Sequence, residues 1–384
     1  MLKYKFGDVV REVKINIDRN NNPYEFYIAG EHMDTNELHL QRRGRFDGSD
    51  VGPAFIRLFK PGQILYGSRR TYLRKVAVAD FEGITSNTTF VLESKDETKL
   101  CQRLLPFIML SDDFTQYSIS KSKGSTNPYI LFSDLSEYEL NLPEIEQQRV
   151  LADLLWALDS TKKAYRNLII STDNLVKSQF IELFGDPKEN TCNWKIVELR
   201  ECLQRIDSGK SIVCESHPRT GNLPAILKLS AITYGVFLPN ENKQLPSADL
   251  FIPTLAVRDG DLLFSRKNTL EYVGMTALVK ETPSNLMLPD LIFRLVPNDS
   301  ITSLYLHQLI NHPQFRSIIS NLASGSAGSM PNISKQKLLD LKIPLPSIET
   351  QKAFEPFVKQ ADKSKFSIQI QINNVKRQEK YYAK

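Results

Sequence analysis

Cysteine is scarce in this sequence, and its few copies follow no pattern. The chain has 4 cysteines among 384 residues, and no two of them form a Cys-x-x-Cys pair. Disulfide-stapled folds and structural zinc sites both depend on closely spaced cysteines. The sequence therefore predicts reduced thiols, as in the cytoplasm. A zinc site made by Cys202, Cys214 and His217 is the alternative, although their spacings do not match a zinc ribbon.

Long hydrophobic runs are also missing. No apolar stretch approaches the roughly 20 residues that a membrane-spanning helix needs. The N-terminal MLKYKFGDVV lacks the apolar core of a signal peptide. The mean hydropathy is −0.30, and charged residues make up 24% of the chain. We expect a cytoplasmic protein without membrane association, and a chain of 384 residues is long enough for two domains.

Recognisable catalytic motifs are the third absence. Residues 208–211 (Ser-Gly-Lys-Ser) contain the end of a phosphate-binding loop, but Gln204 stands where that loop requires glycine. Residues 126–129 (Thr-Asn-Pro-Tyr) lack one proline of the Asn-Pro-Pro-aromatic motif of amino-group DNA methyltransferases, and no glycine-rich loop precedes them. Asp290 is too far from Asp340 to begin a nuclease motif, and the histidines form no nucleophile–base pair. A non-catalytic binding protein without a metal is favoured over an enzyme.

An internal repeat is the clearest feature that is present. The phrase LPEIEQQRVLADLL begins at Leu142, and LPSIETQKAFEPFV begins at Leu345. Three further pairs of segments match in the same order, and they begin at Tyr4 and Trp194, at Pro61 and Asp259, and at Gly124 and Gly328. The chain is therefore two imperfect copies of one unit of about 190 residues.

Each copy ends in a long helix. No glycine or proline interrupts residues 144–184, Pro143 suits the first turn, and Gly185-Asp186-Pro187 ends the helix. About 40 residues give a helix of about 60 Å. The residues predicted to form its heptad seam are Leu151, Leu154, Leu158, Tyr165, Leu168, Thr172 and Leu175.

The second helix is predicted from about Ser347 to the C-terminus. Its seam continues through Ala361, Ile368, Ile372 and Val375, with Lys365 as a polar interruption. Pro356 is predicted to kink the helix or to mark a fresh start. A long amphipathic helix needs a partner, so we expect the two helices to pack antiparallel. The alternative is that each helix only caps its own domain.

These patterns predict an α+β protein. Two tandem α/β domains are separated by two long antiparallel coiled-coil helices and are related by an internal pseudo-two-fold repeat. The predicted boundaries are 1–142 for the first domain, 143–185 for the central helix, 186–344 for the second domain and 345–384 for the C-terminal helix.

Basic residues interleaved with aromatics and glycines are the candidate DNA contacts. The net charge of +5 permits an anionic partner without requiring one. Arginine and lysine bind phosphate oxygens, and arginine also pairs with a guanine edge. For any single residue, a solvated surface charge is the alternative. The candidates in the first domain are Arg42, Arg43, Arg45, Ser68, Arg69, Arg70, Tyr72, Arg74, Lys121 and Lys123. Those in the second are Lys210, Arg219, Lys228, Arg258, Arg266 and Lys267.

The chain resembles, over essentially its whole length, the specificity subunit of type I restriction-modification systems. The residues that carry the resemblance are the Gly124-Ser125…Pro128-Tyr129-Ile130 turn, the phrases that begin at Leu142 and Leu345, the Phe184-Gly185-Asp186-Pro187 helix end, and Trp194-Lys195. The half-chain duplication makes the combination more specific than any one of these motifs.

The resemblance implies two target-recognition domains that each read one half of a split, asymmetric double-stranded DNA sequence. It implies that the helices set the gap between the half-sites and dock two methyltransferase subunits. Those subunits in turn recruit the restriction (translocase–nuclease) subunits. The specificity subunit of such a prokaryotic complex is not an enzyme. S-adenosylmethionine, ATP and Mg would therefore be bound by its partners.

Two other interpretations stay open at this stage. The chain could be the reader of a methylation-only or other phage-defence complex. It could also be an autonomous DNA-modifying enzyme with an unrecognised site, and methyl transfer by the purified chain alone would establish that.

Overall fold

The computed structural model describes residues 2–18, 21–46, 51–325 and 330–382. Contacts between residues divide the chain into two compact units. The first unit contains residues 1–167 and 369–384, and the second contains residues 168–368. Each unit has one globular head and part of each of two long helices. We call residues 2–142 the first head and residues 195–345 the second head.

The first head consists of short strands and short helices. Its strands are β1 (Leu2–Lys5), β2 (Val10–Glu12), β3 (Phe26–Ile28), β4 (Gly44–Arg45), β5 (Phe55–Phe59), β6 (Ile64–Gly67), β7 (Val76–Val78), β8 (Gly83–Ser86), β9 (Thr89–Ser94) and β10 (Glu139–Leu142). Its helices are α1 (Phe6–Val9), α2 (Leu105–Leu110), α3 (Asp112–Lys121) and α4 (Phe132–Ser136). β-branched and aromatic residues dominate the strands, as packing on a pleated surface favours.

One continuous helix, α5, follows the first head and runs from Ile145 to Phe184. The second head then contains β11 (Lys195–Glu198), β12 (Leu203–Ser208), β13 (Ala225–Leu227), β14 (Asn242–Gln244), β15 (Leu262–Ser265), β16 (Thr276–Leu278), β17 (Leu286–Met287), β18 (Ile292–Pro297), α6 (Ser303–Asn311), α7 (Pro313–Asn321), α8 (Lys335–Leu339) and β19 (Lys342–Leu345). The last helix, α9, runs from Ile348 to Tyr382. None of the described helices is long and apolar enough to cross a membrane.

The two heads have the same topology. In the first head, four strands form a sheet in the order β2-β9-β6-β7, and the second head repeats it as β12-β18-β15-β16. The sheet β4-β3-β8-β5 corresponds to β14-β13-β17, which has one strand fewer among the described residues. Antiparallel pairs β1-β10 and β11-β19 close the two heads. The predicted α+β fold with an internal repeat is therefore confirmed, although Gly328 and Ser329 of the second repeat lie outside the described residues.

A buried glutamine explains why the same phrase begins both long helices. Gln148 is 1% exposed. Its amide nitrogen donates to the carbonyl oxygens of Lys99 (2.9 Å) and Pro143 (3.0 Å), and its amide oxygen accepts from the backbone N–H of Cys101 (3.0 Å). The side chain thus joins the first turn of α5 to the backbone of the first head.

Gln351 makes the same set of bonds at the start of α9. It is completely buried. It donates to the carbonyls of Ser300 (3.1 Å) and Pro346 (2.9 Å) and accepts from the N–H of Thr302 (2.8 Å). We call Gln148 and Gln351 the glutamine anchors. The repeated phrase therefore encodes one joint between head and helix, used twice.

The predicted seam of α5 is displaced by one residue. Leu154, Leu168 and Leu175 are exposed at 37%, 49% and 55%. Leu151, Leu158, Tyr165 and Thr172 are half-buried. The buried stripe consists of Ala152, Leu155, Asp159, Lys162, Val176, Phe180 and Phe184. It holds two charged residues, and a search for apolar periodicity therefore selects the neighbouring leucine stripe.

The prediction for α9 was partly right. Ala361, Ile372 and Val375 are buried, and Ile368 is half-buried. The helix passes through Pro356 without interruption, so the predicted fresh start is wrong. Proline removes one helical N–H and crowds the carbonyl four residues earlier, but the buried side chains of Phe354 and Val358 hold the helix on either side of it.

The long helices contact each other and do not only cap the heads. In the second unit, the ring of Phe354 lies 5.9 Å from that of Phe180 and 5.4 Å from that of Phe184. Further along α9, Lys365 Nζ lies 2.7 Å from Asp173 Oδ1, which precedes Phe180 on α5. The two segments therefore run antiparallel in this unit.

Candidate nucleic-acid interface

The loop after β6 in the first head carries the most concentrated group of predicted contacts. Residues Thr71–Leu73 form a single 3-10 turn, and the residues on either side of it, Arg70 and Arg74, have φ of 52° and 50°. Large side chains adopt this left-handed conformation only where the surroundings stabilise it. The turn exposes Tyr72 by 52% beside the exposed side chains of Arg69 and Arg70.

A second segment, residues 123–130, holds this loop in place. The N–H of Arg70 donates to the carbonyl of Pro128 (2.6 Å), and the N–H of Ile130 donates to that of Ser68 (2.9 Å). Arg70 Nε donates to Asn127 Oδ1 (3.1 Å), and the Arg69 guanidinium lies 5.8 Å from the ring centre of Tyr129. The Gly124–Ile130 motif of the sequence therefore supports the loop that carries Arg69 and Arg70.

The second head repeats this arrangement. The N–H of Ile333 donates to the carbonyl of Arg266 (2.8 Å), and Arg266 Nε donates to Asn332 Oδ1 (3.1 Å). The Arg266 guanidinium also lies 4.9 Å from the ring centre of Phe293. Lys267 follows at the position that Arg69 holds in the first head. We call residues 68–74 with 123–130 the first basic loop pair, and residues 266–272 with the described part of 324–333 the second.

Several other predicted contacts are engaged within the heads. Ser68 is buried, and its hydroxyl donates to the carbonyl of Thr88 (2.6 Å). Arg74 donates to Asp112 (2.8 Å) and to the carbonyl of Leu110. The remaining pairs are Arg42 with Asp34, Arg45 with Glu25, Arg43 over the Phe26 ring, Lys121 over the Tyr117 ring, Lys123 with Asp134, and Arg219 with the carbonyl of Ser284.

Burial also affects Arg219, because desolvation lowers the pKa of its guanidinium. Lys210 and Arg258 are exposed, and Lys228 is half-buried. Whether these residues contact DNA stays a prediction.

A cleft in the second head contains Arg258, which the sequence suggested, and three further cations that it did not. It has a volume of about 720 Å³, and its lining includes Arg205, Arg258, Arg294 and Lys335. Arg294 is buried and held by Asp207 (2.8 Å) and Asp261 (3.1 Å), so it serves the fold. In the sequence, Lys335 could have been noticed because it follows the repeated segment that begins at Gly328. In the structure it lies near Arg266, since both cations approach the Phe293 ring.

One group among the described residues has metal-ligand geometry, but its charges are already balanced. Glu37, His39 and Asp159 have ligand atoms within 4.8 Å of one another. Lys162 lies 2.9 Å from Asp159, and Arg166 pairs with Glu37. A cation would have to displace or oppose both side chains, so the group does not suit a metal. Cys202, Cys214 and His217 do not form such a group in the described part of the chain.

Comparison with known proteins agrees with the duplicated architecture. The family model for the type I restriction modification DNA specificity domain matches residues 14–170 and 192–377. The chain belongs to this family. The two matched ranges each contain most of one head and much of the long helix that follows it. The resemblance stated from the sequence is therefore confirmed.

Curated relatives match this chain in part. The EcoEI specificity subunit of Escherichia coli is 31% identical over 189 residues, which cover 48% of this chain and 32% of that protein. The MjaVIII specificity subunit of Methanocaldococcus jannaschii is 24% identical over 302 residues, which cover 73% of this chain and 68% of that protein. The chain thus spans about a third of the length of the first relative and about two thirds of the second.

Solved structures show the same fold over the whole chain. The S subunit of a type I restriction-modification system from M. genitalium has a TM-score of 0.57 at 15% identity, and the match covers 100% of this chain and 94% of that one. A chain from a structure on complex assembly and conformational transition of the type I R-M system has a TM-score of 0.55 at 19% identity, with 100% and 96% covered.

Proposed function

We propose that this chain is the DNA sequence-recognition subunit of a type I restriction-modification complex. Each head reads one half of a bipartite, asymmetric DNA target. The long helices set the gap between the half-sites and dock methyltransferase subunits, which connect the chain to the restriction subunits. The chain acts in the cytoplasm and has no catalytic role of its own.

The observation that supports this proposal best is the duplicated basic loop pair. Both heads use the same sheet order and the same two backbone bonds to present basic side chains beside an asparagine and an aromatic ring. The sequences of the two loops differ, with Arg69 and Arg70 in one head and Lys267 and Asn268 at the matching places in the other. One scaffold with two different contact sets suits the reading of two different half-sites.

Exposed apolar side chains on the long helices support the docking part of the proposal. In the first unit, Val150 of α5 is 69% exposed next to Leu154. In the second unit, Leu168 and Leu175 of α5 and Phe366 of α9 are exposed, with Phe366 at 69%. Exposed large apolar groups are typical of surfaces that partner proteins cover. We assign S-adenosylmethionine, ATP and Mg to these partner subunits.

Co-expression with the cognate methyltransferase subunit in a host that lacks DNA methylation tests the proposal. Single-molecule sequencing of the host DNA should reveal one split motif that is methylated in both half-sites. The isolated chain with S-adenosylmethionine and mixed DNA should transfer no methyl groups. Methyl transfer by the chain alone, or a stable complex that methylates no split motif, would contradict the proposed function.

A further inference from the structure

An Asp-x-x-Lys sequence recurs in the two long helices. Asp159 and Lys162 lie on α5, and Asp362 and Lys365 lie on α9. Both pairs follow the glutamine anchor of their own helix by the same number of residues, so they occupy equivalent places in the repeat. Lys365, which interrupts the apolar seam of α9, is therefore the second copy of a feature of the repeated unit.

In the first unit this sequence forms a chain of four charged or titratable groups. His39 Nε2 of the head lies 2.7 Å from Asp159 Oδ2. Lys162 Nζ lies 2.9 Å from Asp159 Oδ1 and 2.7 Å from Glu379 Oε1 of α9. The side chains of Asp159 and Lys162 are 3% and 8% exposed. We call His39, Asp159, Lys162 and Glu379 the first clasp, because they connect the head, α5 and α9.

The second unit contains the same order of groups. Lys280 of the head lies 2.6 Å from Asp362, and Lys365 lies 3.1 Å from Asp362 and 2.7 Å from Asp173 of α5. We call Lys280, Asp362, Lys365 and Asp173 the second clasp. In both units, a side chain of the head contacts an aspartate, the aspartate contacts a lysine, and the lysine contacts an acid of the opposite helix. The network is therefore a feature of the repeated unit.

Within the first clasp, the contacts of Lys162 and Asp159 favour the charged forms of both side chains. Burial opposes the charge of Lys162, but hydrogen bonds with Glu379 and Asp159 outweigh burial and raise its pKa. Burial also opposes the charge of Asp159, yet the bonds with His39 and Lys162 hold its pKa below the ordinary value. Lys162 is therefore a buried cation that depends on its acidic neighbours.

Apart from Glu379, the end of α9 has one described ion pair with the first head, between the exposed side chains of Lys380 and Asp112 (2.8 Å), and exposed ion pairs contribute little to stability. In the second unit, Phe354, Val358 and Ala361 of α9 belong to one hydrophobic cluster with the head and with α5. In the first unit, the clusters found among the described residues include no residue of α9. Ile372 and Val375 are its buried apolar side chains there, and two aliphatic residues specify a helix register only weakly.

Glu379 determines the register of α9 in the first unit. It is the single acidic residue between Phe366 and Lys384. Any other placement of the end of α9 leaves Lys162 without an acid from that helix. Moving α9 by one heptad brings Ile372 to the position of Glu379, which would leave the buried ammonium against an apolar side chain. The observed register is therefore the one that satisfies Lys162.

We propose that the first clasp fastens the end of α9 to the first unit in one register, and that this attachment restricts the protein to one gap length between its half-sites. The inference rests on the proposed function and names Glu379 and Lys162 as positioning residues for specificity. Without the attachment, the end of α9 is no longer held against the first head and α5. The permitted gap would then broaden while each half-site is still read.

The test compares Glu379→Lys with Gln378→Lys in the complex with the methyltransferase subunit. Both variants add a lysine to the end of α9, but position 378 is exposed and outside the clasp. Glu379→Lys places a second cation beside Lys162, and because no residue of α9 belongs to the hydrophobic clusters described for the first unit, we expect the head itself to stay folded. We expect amide exchange in residues 369–382 to become on the order of tenfold faster or more in this variant. We expect the methylated motif to keep both half-sites and to show more than one gap length.

The outcomes separate the two proposals. A wild-type complex that methylates no split motif refutes the proposed function itself. A wild-type complex with one gap, together with a Glu379→Lys complex whose α9 end exchanges faster but whose gap stays single, refutes the inference. Unchanged exchange in Glu379→Lys refutes it as well. If Glu379→Lys does not assemble, Glu379→Gln keeps the shape of the side chain and is judged by the same two measurements. Gln378→Lys should match the wild type throughout.

Discussion

The two clasps have the same design but different surroundings. In the first unit, Asp159 and Lys162 are almost fully buried, whereas Asp362 and Lys365 in the second are 22% and 27% exposed. The second unit holds its helices together with an aromatic cluster that includes Phe180, Phe184 and Phe354. Exposed ion pairs contribute little because water screens them, while breaking a buried one is costly. We therefore expect the clasp to contribute more to the stability of the first unit than to that of the second.

Removal of the aspartate from each clasp should give the largest difference in stability between the two units. We expect Asp159→Ala to destabilise the first unit by about 3 kcal/mol, because it leaves Lys162 with one acid in a buried site. We expect Asp362→Ala to destabilise the second unit by about 1 kcal/mol or less. Native-state amide exchange measures both losses in their own units. Equal losses would mean that burial does not distinguish the clasps.

The glutamine anchors, in contrast to the clasps, should contribute equally to the stability of the two units. Gln148→Ala and Gln351→Ala each leave a buried backbone N–H and carbonyls without partners. We expect each to destabilise its own unit by about 1–3 kcal/mol. Amide exchange of the first turns of α5 and α9 reports the two effects. Gln147→Ala is a control, because Gln147 is exposed beside the anchor. A large effect at only one anchor would contradict the equivalence.

The basic loop pairs extend the comparison to DNA. We expect Arg69→Ala with Arg70→Ala to weaken binding by about 1–3 kcal/mol and to reduce its salt dependence. Methylation should then tolerate changes in one half-site only. Arg266→Ala with Lys267→Ala should relax the other half-site. Lys188→Ala with Lys195→Ala removes two exposed lysines outside the loop pairs and serves as the control. Relaxation of the same half-site by both loop variants would contradict the assignment of one head to each half.

A half-buried histidine inside the second head gives that head an acid sensitivity of its own. His307 contacts Thr276 and Asn311, and burial lowers its pKa to about 4. Nearby Asp362 acts to raise that pKa, while Lys280 and Lys365 lower it. The neutral folded form thus stabilises the head above the ordinary pKa of 6.5, and this contribution is lost as the pH falls from 6.5 towards 4.

Amide exchange measured across this pH range tests the prediction. The second head should lose protection as the solution is acidified, and His307→Gln should reduce that loss while leaving the first head unchanged. Identical acid responses in the wild type and the variant would contradict the role of His307.

The architecture could be predicted from the sequence because the same segments occur in both halves, so an element predicted in one half could be compared with its counterpart in the other. The phrases that begin at Leu142 and Leu345 placed both long helices within a few residues of their observed starts. Antiparallel pairing followed from the need of each amphipathic helix for a partner. The matching Pro61 and Asp259 segments likewise predicted β6 and β15 and the basic loops after them.

The seam and the site details could not be predicted in the same way. A hydrophobic pattern assigns charged residues to the surface, so Asp159 and Lys162 moved the predicted stripe onto Leu154 and Leu168. Their true place depends on His39 and Glu379, which are distant in sequence. The supporting asparagines, Asn127 and Asn332, were missed for the same reason, because each meets its arginine only in the folded head.

The glutamine anchors bond only to backbone groups, which belong to the heads and to Pro143 and Pro346 just before the long helices. Every residue except proline offers a backbone N–H, and every residue offers a carbonyl oxygen. The joint therefore places few demands on the amino acids that form the head. Many different head sequences are therefore compatible with the same joint and the same helices. Gln148 and Gln351 thus fix where each head is attached without fixing which amino acids the head contains.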